Sequence, residues 1–328
     1  MKVDVRAKVA LIGTGGTITS IGKDAWDLQD YSVQNKRMHP AEVLAMFPAA
    51  AAVAQVIPIE FKAIPSPQIQ PSDWKALVLA MDAALAQHPD LAGFVILHGT
   101  STLEETAYAL NLLSKVAVPV VLVGAQRPAS GLSTDAPMNL ANAIRVAAHP
   151  ASRGMGVLVV LNDEIQAARE VTKTSTYRLQ TFRTPDFGIL GQADADSINF
   201  YRRPLRRCAP DTEFDIRTLD QLPRVDIVTS YAGADGTAVR AFVAAGAQGI
   251  VAASFAPGFN APQEFEALRE AVQQGVVVVQ SSRVGSGRVF LLAEPRRAGF
   301  ISADNLSPQK ARILLACALT RTQDPGEI

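Results

Sequence analysis

Two threonines stand in glycine-rich turns directly behind apolar runs of strand length. Thr17 closes Gly13-Thr14-Gly15-Gly16-Thr17 after Val9-Ala10-Leu11-Ile12, and Thr100 lies in His98-Gly99-Thr100-Ser101-Thr102 after Gly93-Phe94-Val95-Ile96-Leu97. A threonine hydroxyl holds its proton too tightly to attack a carbonyl at neutral pH without a base or another activating partner. Glycines before it allow a turn whose backbone N–H groups point at one negative oxygen, of a phosphate or of an oxyanion. Walker and Rossmann spacings are absent. If the two strands are parallel neighbours, both turns lie at the carboxyl edge of one sheet, where open α/β folds place their ligand crevice.

The elements that must position these hydroxyls alternate along the chain. Buried parallel strands read as short β-branched runs, and residues 93–97, 119–123 and 157–161 fit that pattern. Between them run helical stretches. Trp74, Leu77, Val78, Met81 and Leu85 form one apolar face of a helix that Ser72 can cap, and residues 103–113 and 137–148 form two more. The Arg-, Pro- and Asp-rich span 201–223 breaks the alternation, with a linker expected at 205–223. A second series follows, with strands at 225–228, 249–253 and 276–280 and helices at 238–245, 264–273 and 308–320. The expected fold is therefore α/β: a larger domain, residues 1–204, with a mostly parallel sheet and flanking helices, and a smaller parallel-sheet α/β domain, residues 224–328.

Composition narrows the partners. The 328 residues exceed the roughly 250 to 300 at which a single core stops growing, which agrees with two domains. With 31 basic against 31 acidic side chains and no basic block, neither nucleic acid nor an anionic membrane is an expected partner. A small molecule is. The two cysteines, Cys208 and Cys317, read as packed thiols in a reducing compartment. The amino terminus reaches the first strand almost at once and leaves no room for a signal segment, so the expected location is cytoplasmic.

Several further motifs occur in a fixed order: Thr14-Gly15-Gly16-Thr17-Ile18, Thr100 to Thr106 as Thr-Ser-Thr-Leu-Glu-Glu-Thr, Val123-Gly124-Ala125-Gln126-Arg127-Pro128, Asp135-Ala136-Pro137-Met138-Asn139-Leu140, Val171-Thr172-Lys173-Thr174 and Ser281-Ser282-Arg283-Val284. In these the chain resembles the bacterial-type L-asparaginases and glutaminase-asparaginases over nearly its whole length. The resemblance implies hydrolysis of a small side-chain amide, by default L-asparagine to L-aspartate and ammonia, through a threonyl acyl-enzyme. It assigns the nucleophile to Thr17, an activating lid tyrosine to Tyr31, and a second catalytic group to Thr100 and Lys173. Residues 19–37 would form the lid. Substrate contacts fall on Gly16, Ser66, Ser101, the backbone carbonyl of Ala125, and Asn260 and Glu294, the last two reaching a neighbouring subunit's site. A homodimer or homotetramer with shared sites is implied, with no metal and no organic cofactor.

Two positions depart from that pattern. The family carries an aspartate for the substrate's α-ammonium where this chain has Ser101, and a glutamine where it has Pro67 after Ser66. A charged hydrogen bond to a buried ammonium is worth roughly 1.5 to 3 kcal/mol, so free asparagine should bind at least about tenfold worse. The alternatives are an amidase for an amide or imide without a free α-ammonium, a non-hydrolytic ligand-binding protein, and the amide-transfer subunit of a tRNA-dependent amidotransferase, against which the direct start at strand 1 argues. Other readings are structural. His98 serves a backbone hydrogen bond, Asp135 caps a helix, Asp163 and Glu164 make a turn, and Arg202, Arg203, Arg206 and Arg207 belong to a solvated segment or a subunit contact.

Overall fold

The computed structural model describes residues 7–328 and divides into two compact units, Met1–Arg217 and Thr218–Ile328. The reading of the amino terminus rests on residues 1–6, which lie outside the described residues.

In the first unit the chain runs through β1 (Lys8–Gly13), α1 (Pro40–Met46), α2 (Pro48–Ala51), β2 (Gln55–Ile59), α3 (Pro71–Gln87), β3 (Leu91–Leu97), α4 (Leu103–Leu113), β4 (Val120–Val123), α5 (Ala136–Ala148) and β5 (Val157–Leu161). Five parallel strands stand in the order β2-β1-β3-β4-β5. This order reverses direction between β1 and β3, and a crevice opens where the loops leaving two neighbouring strands go opposite ways. The strands are short β-branched runs because both faces are covered. Val9, Leu11, Val95, Leu97, Val121 and Val123 are buried in one cluster with Leu140, Ala143, Ile144 and Ala147 of α5. Truncating one of them, such as Leu11→Ala, costs about 2 to 5 kcal/mol in a site that cannot collapse.

Helix α3 begins two residues earlier than a cap at Ser72 implied. Pro71 takes the first helical position and Gln70 stands at the cap, its backbone N–H donating to Asp73 Oδ2 at 2.8 Å. A proline with fixed φ and no N–H suits that position better than the interior.

The first unit then adds strands that no apolar run announced: β6 (Glu164–Ala167), β7 (Thr172–Lys173), β8 (Phe182–Arg183), β9 (Gly191–Ala193) and β10 (Ile198–Phe200). β6, β9 and β10 extend the sheet antiparallel beyond β5, while β7 and β8 form a separate hairpin. Asn162 and Asp163, both at positive φ, make the two-residue turn between β5 and β6. Asp163 also accepts from Asn142 Nδ2 at 2.8 Å.

Through Arg217, the Arg-, Pro- and Asp-rich span 201–223 carries fixed contacts within this unit. Arg202 donates to Glu170 at 2.6 Å and to Ile189 O at 3.0 Å, Thr212 Oγ1 donates to Leu112 O at 2.6 Å, and Arg217 grips Asp82 at 2.7 and 2.9 Å. Arg202 is thus partly buried structure rather than a solvated charge.

The second unit contains β11 (Val225–Thr229), α6 (Thr237–Ala244), β12 (Gly249–Ser254), α7 (Pro262–Gln273), β13 (Val277–Ser282), α8 (Ala293–Arg297), β14 (Ile301–Ser302) and α9 (Pro308–Ala318). Its four strands are parallel in the order β11-β12-β13-β14. Val228, Ile250, Ala252 and Val278 pack with Val239, Leu268 and Phe300. Cys208 and Cys317 are free thiols, and burial pushes that of Cys317 up to about 12. No helix among the described residues is long and apolar enough to cross a membrane.

Candidate active site

The turns after β1 and β3 meet because both contain glycine at the point of contact. Gly16 adopts φ +90, and a Cβ there would lie 2.3 Å from the Cα of Gly99. A side chain at Gly16 would force the two turns apart, and one at Gly99 would run into the Ser66 side chain, 2.6 Å from its Cβ. Hydrogen bonds then fix their shape. Thr14 donates through both its backbone N–H (3.0 Å) and its hydroxyl (2.8 Å) to Leu97 O, joining the ends of β1 and β3. Thr19 and Ser20 hydroxyls both donate to Gly16 O at 2.9 Å, and Thr102 Oγ1 donates to Ser66 O at 2.8 Å.

Thr17 and Thr100 consequently line one cavity of about 640 Å³, together with Gly16, Ser66, Ser101, Tyr31 and Lys173. Each threonine has its own partner. The Thr17 and Tyr31 hydroxyl oxygens stand 2.9 Å apart, and Lys173 Nζ donates to Thr100 Oγ1 at 2.8 Å. Thr100 Oγ1 in turn donates to Gln126 Oε1 at 3.2 Å. Burial lowers the Lys173 pKa from its usual 10.5, against the opposing pull of the Glu104 charge. A lysine placed this way gives up its proton more readily than a solvated one.

Glu104, in the first turn of α4, places that lysine. Its Oε1 accepts from the Lys173 backbone N–H and from Thr172 Oγ1, both at 3.2 Å, tying β7 to the helix that follows Thr100. Gln126 is held from two sides: its Nε2 donates to Arg178 O at 3.1 Å, and its backbone N–H donates to the Asp135 carboxylate at 3.0 Å. Asp135 also accepts from Arg127 N and Asn139 Nδ2, each at 3.0 Å. It stands at the start of α5 but makes no side-chain cap bond to the helix backbone, because its carboxylate is turned back on the loop after β4. That corrects its reading as a simple cap. Neither Glu104 nor Gln126 was singled out from sequence, although both sit inside motifs that were.

The remaining residues divide between the two units. Ser66 is buried, in the short helical turn that includes Pro67, while Ser101 is exposed at the cavity. Ala125 is fully buried, one residue before the cavity-lining Gln126. Asn260 and Glu294 belong to the second unit. Asn260 Nδ2 donates to Ser230 Oγ at 3.1 Å and Glu264 Oε2 at 3.3 Å, and its Oδ1 accepts from Gln280 Nε2 at 2.7 Å. Glu294 is exposed in α8. His98 is fully buried with Nδ1 donating to Gly99 O at 2.8 Å, and desolvation lowers its pKa from 6.5 to about 4. The ring is neutral and holds the Thr100 turn. Among the described residues no His, Cys, Asp and Glu cluster has the makings of a metal site.

The chain is similar to known proteins over nearly its whole length. The family model described as "Asparaginase, N-terminal" matches residues 8–206, and "Glutaminase/Asparaginase C-terminal domain" matches residues 224–328. The chain belongs to the asparaginase and glutaminase-asparaginase family. Within that family it is an asparaginase-like amidohydrolase. It is 39% identical to "L-asparaginase 2" of Escherichia coli, with 98% of this chain and 91% of the relative covered. It is 39% identical, over 98% of this chain and 90% of the relative, to "Probable L-asparaginase periplasmic" of Haemophilus influenzae. The structure of a "Probable Cytoplasmic L-asparaginase" from Campylobacter jejuni superposes with a TM-score of 0.92 at 36% identity, covering 98% of this chain and 97% of that one.

Proposed function

We propose that the protein hydrolyses a small side-chain amide through an ester on Thr17, with L-asparagine as the default substrate. One observation carries this: two threonine hydroxyls, one against a phenol at 2.9 Å and one against an amine at 2.8 Å, line the same cavity. Thr17 Oγ attacks the amide carbon, its proton passing to the Tyr31 hydroxyl, which gives up its own proton toward the leaving nitrogen. The C–N bond breaks, and the nitrogen leaves as ammonia after taking up a proton. Water then opens the ester and releases the carboxylate and Thr17, giving a proton to Thr100 Oγ1 as that hydroxyl turns its own from Gln126 to the neutral Lys173 amine. Gly16 and Ala125 contribute backbone groups, and Ser66 holds the substrate's carboxylate.

A second reading is favoured by Ser101. None of the described residues that line the cavity is a carboxylate, so an α-ammonium finds no counter-charge among them. An amide without that ammonium, such as succinamic acid, suits the pocket better. In the proposed assembly of two or four copies, Asn260 and Glu294 serve a neighbouring site, and the exposed Tyr231, Phe259 and Phe290 of the second unit support an interface there. The proposed location is cytoplasmic and the proposed domain limits are 1–204 and 224–328.

The test is ammonia release from asparagine, glutamine and succinamic acid, joined to mass spectrometry of the quenched protein. An adduct on the Thr17 peptide is expected with a slow substrate. Thr17→Ala should lose turnover by about 10⁴-fold or more. Turnover retained in that variant, or an adduct elsewhere, would sink the mechanism.

A further inference from the structure

The hydroxyl and amine partners occupy the reacting end of the cavity but leave its charge unexplained. Among the described lining residues Arg37 and Lys173 are cationic and none is Asp or Glu. Lys173 is committed to Thr100. Arg37 donates to the Asn35 side chain and forms no ion pair among the described residues.

Its backbone, by contrast, is fixed. Arg37 bridges Ser20, three residues beyond Thr17, and the bridge is flanked by Ile21 N–H to Lys36 O at 3.0 Å and Met38 N–H to Thr19 O at 2.8 Å. The segment between, which carries Tyr31, is closed at its stem by these bonds. Arg37 therefore stays beside the nucleophile's turn whatever the tip of the loop does. A guanidinium at the cavity wall without a carboxylate partner is a ready fork for one supplied by a ligand.

We propose that Arg37 is a specificity-determining residue that receives a second carboxylate on the substrate, beyond the one assigned to Ser66. The substrate class is then a side-chain amide bearing two carboxylates and no free ammonium, such as an N-acylated asparagine whose acyl group ends in a carboxylate. This rests on the amidohydrolase reading above. The cavity, at about 640 Å³, falls within the range that holds ligands larger than a single amino acid.

The experiment compares N-succinyl-L-asparagine with N-acetyl-L-asparagine, which differ by one carboxylate. The parent is expected to favour the succinyl compound about tenfold or more in kcat/KM, mainly through KM. Arg37→Gln should bring the ratio near one, and Arg37→Lys should restore part of it. A ratio near one in the parent, or an unchanged ratio in Arg37→Gln, overturns the proposal. Calorimetric binding of N-succinyl-L-asparagine to Thr17→Ala, with and without Arg37→Gln, reads the same contact without turnover. About tenfold weakening supports Arg37 and equal affinity overturns it. A parent that releases no ammonia from any of these amides would sink the hydrolytic reading alone.

Discussion

Both parallel sheets end in polar residues, but they use them in opposite ways. At the carboxyl ends of β1 and β3, the hydroxyls of Thr17 and Thr100 and the side chain of Ser101 line an open cavity. At the carboxyl ends of β11 and β12 and within β13, Ser230, Ser254 and Gln280 are fully buried. Glu264 accepts from Ser230 and Asn260, while Gln280 Nε2 donates to Ser254 Oγ at 2.8 Å, Gly258 O at 2.9 Å and Asn260 Oδ1. The second cluster spends its polar groups on holding a loop. The first keeps them available, because paired glycines let two turns approach without filling the space in front of them. A hydroxyl at a strand end becomes chemistry only when its hydrogen bonds leave it facing a cavity.

After Thr17→Ala, Lys173→Met tests the active half of this contrast most strongly and should lose about 10²- to 10⁴-fold in kcat, with little change in the urea midpoint. The parent's activity should rise with pH through a step lying below the pH at which a solvated lysine titrates, since burial lowers this pKa and the proposed mechanism uses the neutral amine. A profile unchanged by Lys173→Met would remove the lysine from the mechanism.

His98 sharpens the comparison by supporting the open site without reacting. In the unfolded chain its ring binds a proton below about 6.5, in the folded chain only below about 4. Unfolding therefore takes up a proton between those values, and stability falls as pH drops, by about 3 kcal/mol once pH is below 4. Urea midpoints at pH 7.5 and 5 should separate more in the parent than in His98→Gln; equal separations would refute the neutral buried ring.

Glu264→Ala addresses the structural cluster. It leaves Ser230 and Asn260 short of an acceptor in a buried place and should cost about 1 to 3 kcal/mol of stability, read from urea unfolding. A neutral result would mean the network is not what holds this loop. The smallest effect belongs to Ser101→Asp. It should raise turnover of asparagine relative to succinamic acid about tenfold, by giving the ammonium its charge partner. No change in that ratio would show that position 101 does not set the preference.

Much of this was legible in the chain before folding was considered. The strands at residues 93–97 and 157–161 and the helix Leu103–Leu113 announced themselves through period and composition. The strands after β5 did not, since β6 reads Glu-Ile-Gln-Ala and β7 has two residues, and such pieces become strands only by pairing with something already placed. At the site, Thr17, Thr100 and Lys173 were recognisable from their motifs. Glu104 and Gln126 were not, because each acts through partners on other elements: Glu104 through β7, Gln126 through Arg178 O and the Asp135 carboxylate.

By itself the sequence determined which apolar runs become buried strands, where glycine permits a tight turn, and that a hydroxyl stands at the end of each of two such runs. These are local properties, set by a few neighbouring residues. Only the tertiary structure decided that Lys173 donates to Thr100 across 73 positions of chain, and that the two glycine turns touch. Those contacts depend on β1 and β3 being neighbours with β7 packed on the start of α4. That arrangement is selected by burial of the whole sheet, not by the residues that use it.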